Sequence, residues 1–153
     1  MSTQIFVNLP VADLEKSKAF YAALGHAINP KFSDDNAACV VVSDTIHVML
    51  LTRAYFQTFT RKPVGDAHRE LQALIALSTP GREAVDAVMD KALAAGGREP
   101  GEARDYGFMY QRSFEDPDGN IIEFTYMEPQ AAEQGPEAYT EEHGAGPDPV
   151  PGS

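Results

Sequence analysis

One carboxylate stands apart in the last apolar stretch of the chain. Glu123 lies within Ile121-Ile122-Glu123-Phe124-Thr125-Tyr126. Alternation along a strand puts it on one face with Ile121 and Thr125, leaving Ile122, Phe124 and Tyr126 on the other. An ionised carboxylate among apolar neighbours is costly unless compensated, so either its pKa rises or a cation or donor lies close by. His47, Tyr110 and Arg112 are the candidates. His47 belongs to a strand over 46–52, with Met49 and Leu51 on its face. Tyr110 and Arg112 share a face of a strand near 107–114, read as facing inward, and an arginine at a cleft edge can clamp a carboxylate bidentately. Each residue also has a plainer reading. Strand histidines are often hydrogen-bonded core residues, arginines commonly make surface salt bridges, and Glu123 could be half of a structural ion pair. Cys39, in Ala-Ala-Cys-Val-Val-Val, reads as a small buried thiol. His26 and His68 fall in loops and His143 in the C-terminal segment, and none of them is assigned a role.

The elements that must position Glu123 and His47 come in a repeated order. In the first half, Ile5-Phe6-Val7-Asn8-Leu9 reads as a strand. Asp13 then caps a helix to about Leu24, with Leu14, Ser17, Phe20, Tyr21 and Leu24 on one face. Gly25 is placed to end it. Strands follow over 26–32, 38–43 and 46–52, with Ser43-Asp44 as the turn between the last two. In the second half, 71–78 is an apolar strand, Thr79 caps a helix with Pro80 in its first turn, and Val85, Val88, Met89, Ala92 and Leu93 form its stripe. Gly96-Gly97 stops it. Strands near 98–103 and 107–114 precede the Asp116-Pro117-Asp118-Gly119 turn and a final strand over 120–127. Each half is βαβββ. The α+β chain should therefore hold two such modules, 1–52 and 69–127, related by a pseudo-twofold with helices outside. Between them lies a connector, 53–68, with a short helix near 54–59.

Composition narrows the classes. The 153 residues are 43% hydrophobic, which suits one domain with its own core. The single cysteine excludes an internal disulfide. No stretch approaches the roughly 20 apolar residues of a membrane span, and the N-terminus does not resemble a signal peptide, so a cytoplasmic protein is expected. The net charge is −11; residues 128–153 hold six of the 23 acids and no lysine or arginine, which leaves 17 acids against 12 bases, or −5, for the rest. A nucleic-acid partner needs a basic face and is not expected. The segment 128–153 is acidic, rich in proline and glycine and poor in large apolar groups, and reads as a disordered or loosely draped tail.

Two stretches carry a family resemblance. Residues 6–21, with Val11-Ala12-Asp13-Leu14, Ser17 and Phe20-Tyr21, resemble the opening of a vicinal-oxygen-chelate protein, of the glyoxalase, bleomycin-resistance and extradiol-dioxygenase superfamily. Phe114-Glu115-Asp116-Pro117-Asp118-Gly119-Asn120-Ile121-Ile122-Glu123-Phe124 resembles its closing hairpin. The resemblance covers about 4–127 and implies a cupped, eight-stranded mixed sheet around a cleft. It also implies a divalent metal held by His, Glu or Gln from the first and last strands of each half. Carried over, those positions fall on Phe6 or Asn8, on His47, on Leu74 and on Glu123. Only Glu123 and His47 are donors of the usual kind, and a protein-bound divalent metal normally takes three or more. Two readings stay open. One is a homodimeric binding protein whose cleft, floored by Phe6, Met49, Leu51 and Leu74 and anchored by Glu123, takes a small molecule without a metal. The other is a glyoxalase- or dioxygenase-type enzyme using a metal on His47 and Glu123. Tyr55, Phe56 and Phe59 read as lid or interface packing, which supports a twofold dimer.

Overall fold

In the computed structural model, which describes residues 2–151, the βαβββ order is present twice. The first module holds β1 (Ile5–Val11), α1 (Leu14–Ala23), β2 (Ala27–Asn29), β3 (Ala37–Val41) and β4 (Ile46–Thr52). After α2 (Arg53–Gln57), the second holds β5 (Ile75–Ser78), α3 (Arg82–Ala94), β6 (Arg104–Asp105), β7 (Met109–Glu115) and β8 (Ile121–Met127). The sheets have matching orders, β1-β4-β3-β2 and β5-β8-β7-β6. In both, the first strand runs parallel to the last and the other pairs are antiparallel.

Each helix covers one face of a sheet. Asp13 caps α1 by accepting from the Lys16 amide, and Gly25 follows with a φ of +102°. Leu14, Ser17, Phe20, Tyr21 and Leu24 are all buried, as are Val85, Met89 and Ala92 of α3. Leu93 is exposed, so the α3 stripe is narrower than its spacing suggests. The helix faces and the sheet residues Val48, Leu50, Phe114, Ile122 and Phe124 form a single core spanning both modules.

What joins the modules is the 116–119 turn. Asp118 accepts from the Ala12 amide at 2.8 Å and the Ser17 hydroxyl at 3.2 Å, so it caps the entry to α1 from the other module. Tyr21 donates its hydroxyl to buried Asp116 at 2.7 Å. Asp116 also accepts from the amides of Asp118 and Asn120 and from the Asn120 side chain. Phe20 packs on Phe114, ring centres 5.5 Å apart. Ser17, Phe20 and Tyr21 therefore hold α1 to the second module as well as to its own sheet.

Several boundaries differ from the sequence reading. β2 stops at Asn29 because Pro30 opens a short 3-10 turn, Pro30–Phe32. Gly81, not Thr79, precedes α3, because the Thr79 amide continues the β5–β8 ladder by bonding the Thr125 carbonyl. No strand forms over 98–103; Arg98 makes an isolated bridge to Glu115, and β6 follows the Pro100-Gly101 loop.

The acidic tail is not loosely draped. It forms α4 (Pro129–Gln134) and α5 (Pro136–His143), each with proline in its first turn and a positive-φ glycine, Gly135 or Gly144, at its end. Ala131 is buried with Tyr106 and Phe108, with Met109 and Tyr139 packed against them. A few well-placed contacts order a segment whose composition argues for disorder.

Burial raises Asp116 above the usual aspartate range, while the bond from Tyr21 pulls it back down. Ionising Asp116 therefore costs stability as pH climbs through the raised value, and the Tyr21 hydroxyl offsets part of that cost. Tyr21→Phe should destabilise by about 1.5–3 kcal/mol at neutral pH, the range for a hydrogen bond to a charged group. The loss should shrink once pH falls below about 4, where the carboxyl is protonated in both folded and unfolded chains. Urea unfolding at the two pH values measures this, and a pH-independent loss would show that Asp116 is not the charge involved.

Candidate functional site

With helices on one face of each sheet, the opposite faces stay open, and alternation decides what they present. On the second sheet, Glu123 pairs laterally with Ala76 of β5 and Ser113 of β7, and Thr125 with Gln111. Gln111 in turn pairs with Arg104 of β6. Glu123, Ser113, Gln111 and Arg104 therefore share the face away from α3. With Leu74, Ile121 and Glu102 they line a groove of about 280 Å³. Glu123 is half-buried and has no hydrogen bond or ion pair among the described residues, and the same holds for exposed Arg104 apart from its place in the ladder.

The Tyr110 hydroxyl and the Arg112 guanidinium turn toward α3, unlike the inward placement read from sequence, although Arg112 still lines one wall of the Glu123 groove. The two residues pair with Tyr126 and Phe124, the residues that turn to the helix. Arg112 meets both oxygens of Glu99 at 2.9 Å and Asp86 of α3 at 2.9 Å. Tyr110 donates to Asp86 at 2.7 Å, below the Arg82 guanidinium, which lies 5.2 Å from its ring centre. Hydrogen bonding to Glu99 and Asp86 raises Arg112 far above its ordinary pKa, and bonds from Tyr110 and Arg112 outweigh desolvation to hold Asp86 below its own. This network is satisfied from within and is no partner for Glu123.

On the first sheet, Phe6, Asn8 and Pro10 pair with His47, Met49 and Leu51. Asn8, Met49, Leu51, Ala37, Lys31, Phe32, Tyr55 and Phe59 line a second groove, of about 380 Å³. Its rim carries exposed rings beside Lys31, Ser33 and Asp34: Phe32 and Phe59 are 66% and 68% exposed, and Tyr55 meets Phe59 edge-on at 5.1 Å. The His47 ring stacks on Phe6 at 4.7 Å, and its Nδ1 is closed off from solvent without a partner. Cys39 is buried on this side of the sheet, and burial pushes its thiol up, away from the reactive thiolate.

The two grooves share no lining residue, so one chain brings Glu123 and Leu74 together, and separately Asn8 and Met49, with Phe6 against His47. Within one chain, the donors near Glu123 do not make up a set for a divalent metal. Phe6 and Leu74 supply none, Ala76 and Ser113 flank Glu123, and no group of three or more His, Cys, Asp or Glu side chains among the described residues could hold an ion. Arg104 and the polar row Gln111-Ser113 were missed in the sequence because β6 was placed too early. Alternation from Glu123 across a correctly registered β7 would have found the row.

Comparison with known proteins places this geometry in context. The model of the bleomycin resistance protein-like N-terminal family matches residues 3–43. A hypothetical protein from S. aureus, SA1046, is 30% identical with a TM-score of 0.69, over 82% of this chain and 95% of that one. A glyoxalase-related enzyme from Fulvimarina pelagi superposes with a TM-score of 0.69 at 22% identity, over 82% and 88% of the two chains. TnmS3, an antibiotic binding protein from Streptomyces sp. CB03234, has a TM-score of 0.60 at 23% identity, over 84% and 98%. None of the curated proteins matches. No helix among the described residues is long and apolar enough to cross a membrane.

The contrast between Glu123 and Arg112 is measurable. Glu123→Gln should leave stability within about 0.5 kcal/mol of the parent, because no partner is stranded. Arg112→Gln should cost about 1–3 kcal/mol, because Glu99 and Asp86 lose a charged donor that is mostly shielded from water. Paired denaturant curves decide it. A sharp fall for Glu123→Gln would mean that the carboxylate carries a structural bond.

Proposed function

The chain belongs to the vicinal-oxygen-chelate superfamily, and on that premise we propose that it is a small-molecule binding protein whose recognition site is the Glu123 groove, working without the full metal set of its enzymatic relatives. The observation that carries this is an unpartnered, half-buried carboxylate on an open sheet face, beside apolar Leu74 and Ile121 and the neutral donors Ser113 and Gln111, with Glu102 and Arg104 at the edge of the same groove. Such a group has hydrogen-bonding capacity that a ligand bearing a cation or donor can take up. That selects a partly apolar molecule bearing an amine, a guanidine or several N–H groups. The apolar floor contributes area, and the polar row sets orientation.

The enzyme alternative requires a Lewis acid on Glu123 and His47, which a single chain does not bring together, and no step is assigned to one. Binding is the activity these side chains can perform unaided. The antibiotic binding protein TnmS3 lends support by analogy of fold. By the same reading the protein works in the cytoplasm on a small molecule, with neither nucleic acid nor membrane as partner.

We further propose that the working form is a homodimer. Phe6, Phe32, Phe59 and Leu74 are each more than half exposed on the uncovered sides of the sheets and their adjoining loops. A second copy laid across them would bring the groove of Asn8 and Met49 against a Glu123 groove, enclosing a site that a single chain leaves in two parts. Phe6, Asn8, His47 and Met49 would then serve the same ligand as Leu74 and Glu123. Light scattering should give twice the 16.6 kDa chain mass at micromolar concentration. A concentration-independent monomer would remove this arrangement.

Thermal-shift screening with size-matched cationic, neutral and anionic aromatic compounds tests the binding reading. Cationic compounds should stabilise the protein most. Glu123→Gln should weaken the best binder by about 1.5–3 kcal/mol, the worth of a charge-assisted hydrogen bond. Equal binding to both proteins, or a preference for anions, would refute the assignment of Glu123.

A further inference from the structure

Residues 146–148 return to β6. The Gly146 amide donates to the Tyr106 carbonyl at 3.1 Å, and the Asp148 amide donates to the Asp105 carbonyl at 2.9 Å. The Asp105 amide donates in turn to an Asp148 carboxylate oxygen at 2.7 Å. The approach is close enough to require glycine on both sides. A Cβ at Gly146 would collide with the Gly107 nitrogen and the Tyr106 carbonyl carbon, and would come within 2.6 Å of the Asp105 oxygen. A Cβ at Gly107, which has a φ of +85°, would come within 2.7 Å of the Gly146 nitrogen.

Asp105 is gripped from a second side. Arg82 of α3 meets its two carboxylate oxygens at 2.8 and 3.1 Å, and the Gly107 amide adds a bond at 3.0 Å. β6 has only two residues, and they point to opposite faces: Asp105 pairs with Tyr110 on the helix side, Arg104 with Gln111 on the groove side. Whatever fixes Asp105 therefore fixes the base of Arg104. No side-chain bond among the described residues holds the Arg104 guanidinium itself.

We propose that residues 145–148 are a positioning strap for the Glu123 groove: by clasping Asp105 and Tyr106 they set Arg104 and the Glu102 wall beside Gln111. This rests on reading that groove as the binding site, and it gives the site a second, oppositely charged recognition point whose placement depends on the C-terminus. The strap touches none of Glu123, Ser113 or Leu74, so it acts through β6 alone.

Two single substitutions in the full-length chain test it by NMR with amide exchange and no ligand, so the result is independent of whether Glu123 binds anything. Gly146→Ala blocks the close approach. Asp148→Ala removes one bond and is the milder change should the first perturb folding. Both should speed exchange of the Asp105 amide by about tenfold or more, the worth of one hydrogen bond of this kind. Both should also shift the Arg104 Nε–H and Gln111 amide resonances while Leu50 and Val85 keep their protection. If Asp105 loosens but Arg104 and Gln111 stay unchanged, the tail is structural packing only and the proposal is overturned. Unchanged Asp105 exchange in both variants overturns it as well.

Discussion

The architecture depends on one turn gripping a helix from the other half of the chain. Asp116 and Asp118 could have spent all their bonding capacity on their own turn, as aspartates flanking proline and glycine usually do. Instead Asp118 caps the start of α1 and Asp116 takes the Tyr21 hydroxyl, while Phe20 and Phe114 meet beneath them. Two βαβββ units that could each have kept a separate small core share a larger one. Connector residues Ala67 and His68 seal the junction by lying so close over Gly119 that a Cβ there would meet them at 2.7–2.8 Å. A side chain at 119 would have to displace the connector, so the glycine serves that approach as well as its own φ of +86°.

Because the shared core of the two modules lies on the helix side, the polar residues of the sheets divide into two populations. Those facing the helices are mutually satisfied: Arg112 with Glu99 and Asp86, Tyr110 with Asp86, Arg82 with Asp105. Those on the open side include groups with no internal partner, Glu123 and Arg104 foremost. The same strands thus carry charges that hold the fold together and charges left without an internal partner, separated by the two-residue period of a strand.

That period also explains how much could be read from sequence. The helix of residues 14–24 was legible because its five apolar-face residues recur at helical spacing, and so was the doubled βαβββ order. The face of Glu123 was legible because Ile122 and Phe124 on either side of it are plainly core residues. Tyr110 and Arg112 were not, since alternation separates the faces of β7 without saying which one meets the helix. Only its register with β8, where Arg112 lies opposite Phe124, supplies that. The tail failed for a different reason. Its prolines and glycines are equally the punctuation of short helices, and what decides between helix and disorder is a long-range contact of Ala131 and Tyr139 with Tyr106 and Phe108. His47 was visible as a residue but not in its role, because the stacking of Phe6 on its ring depends on a parallel pairing that no local pattern encodes.

The outer edges of the two sheets show how a short strand escapes unwanted pairing. An edge strand offers free N–H and C=O groups to any extended chain that meets it. β2 limits this by ending after three residues at Pro30, which has no N–H to offer. β6 has no proline, and its outward backbone groups at Asp105 and Tyr106 are instead taken by Asp148 and Gly146. A chain cut short before Gly146 would leave that ladder open beside the exposed Arg104. Gly146 and Asp148 therefore occupy backbone groups to which another strand could otherwise add.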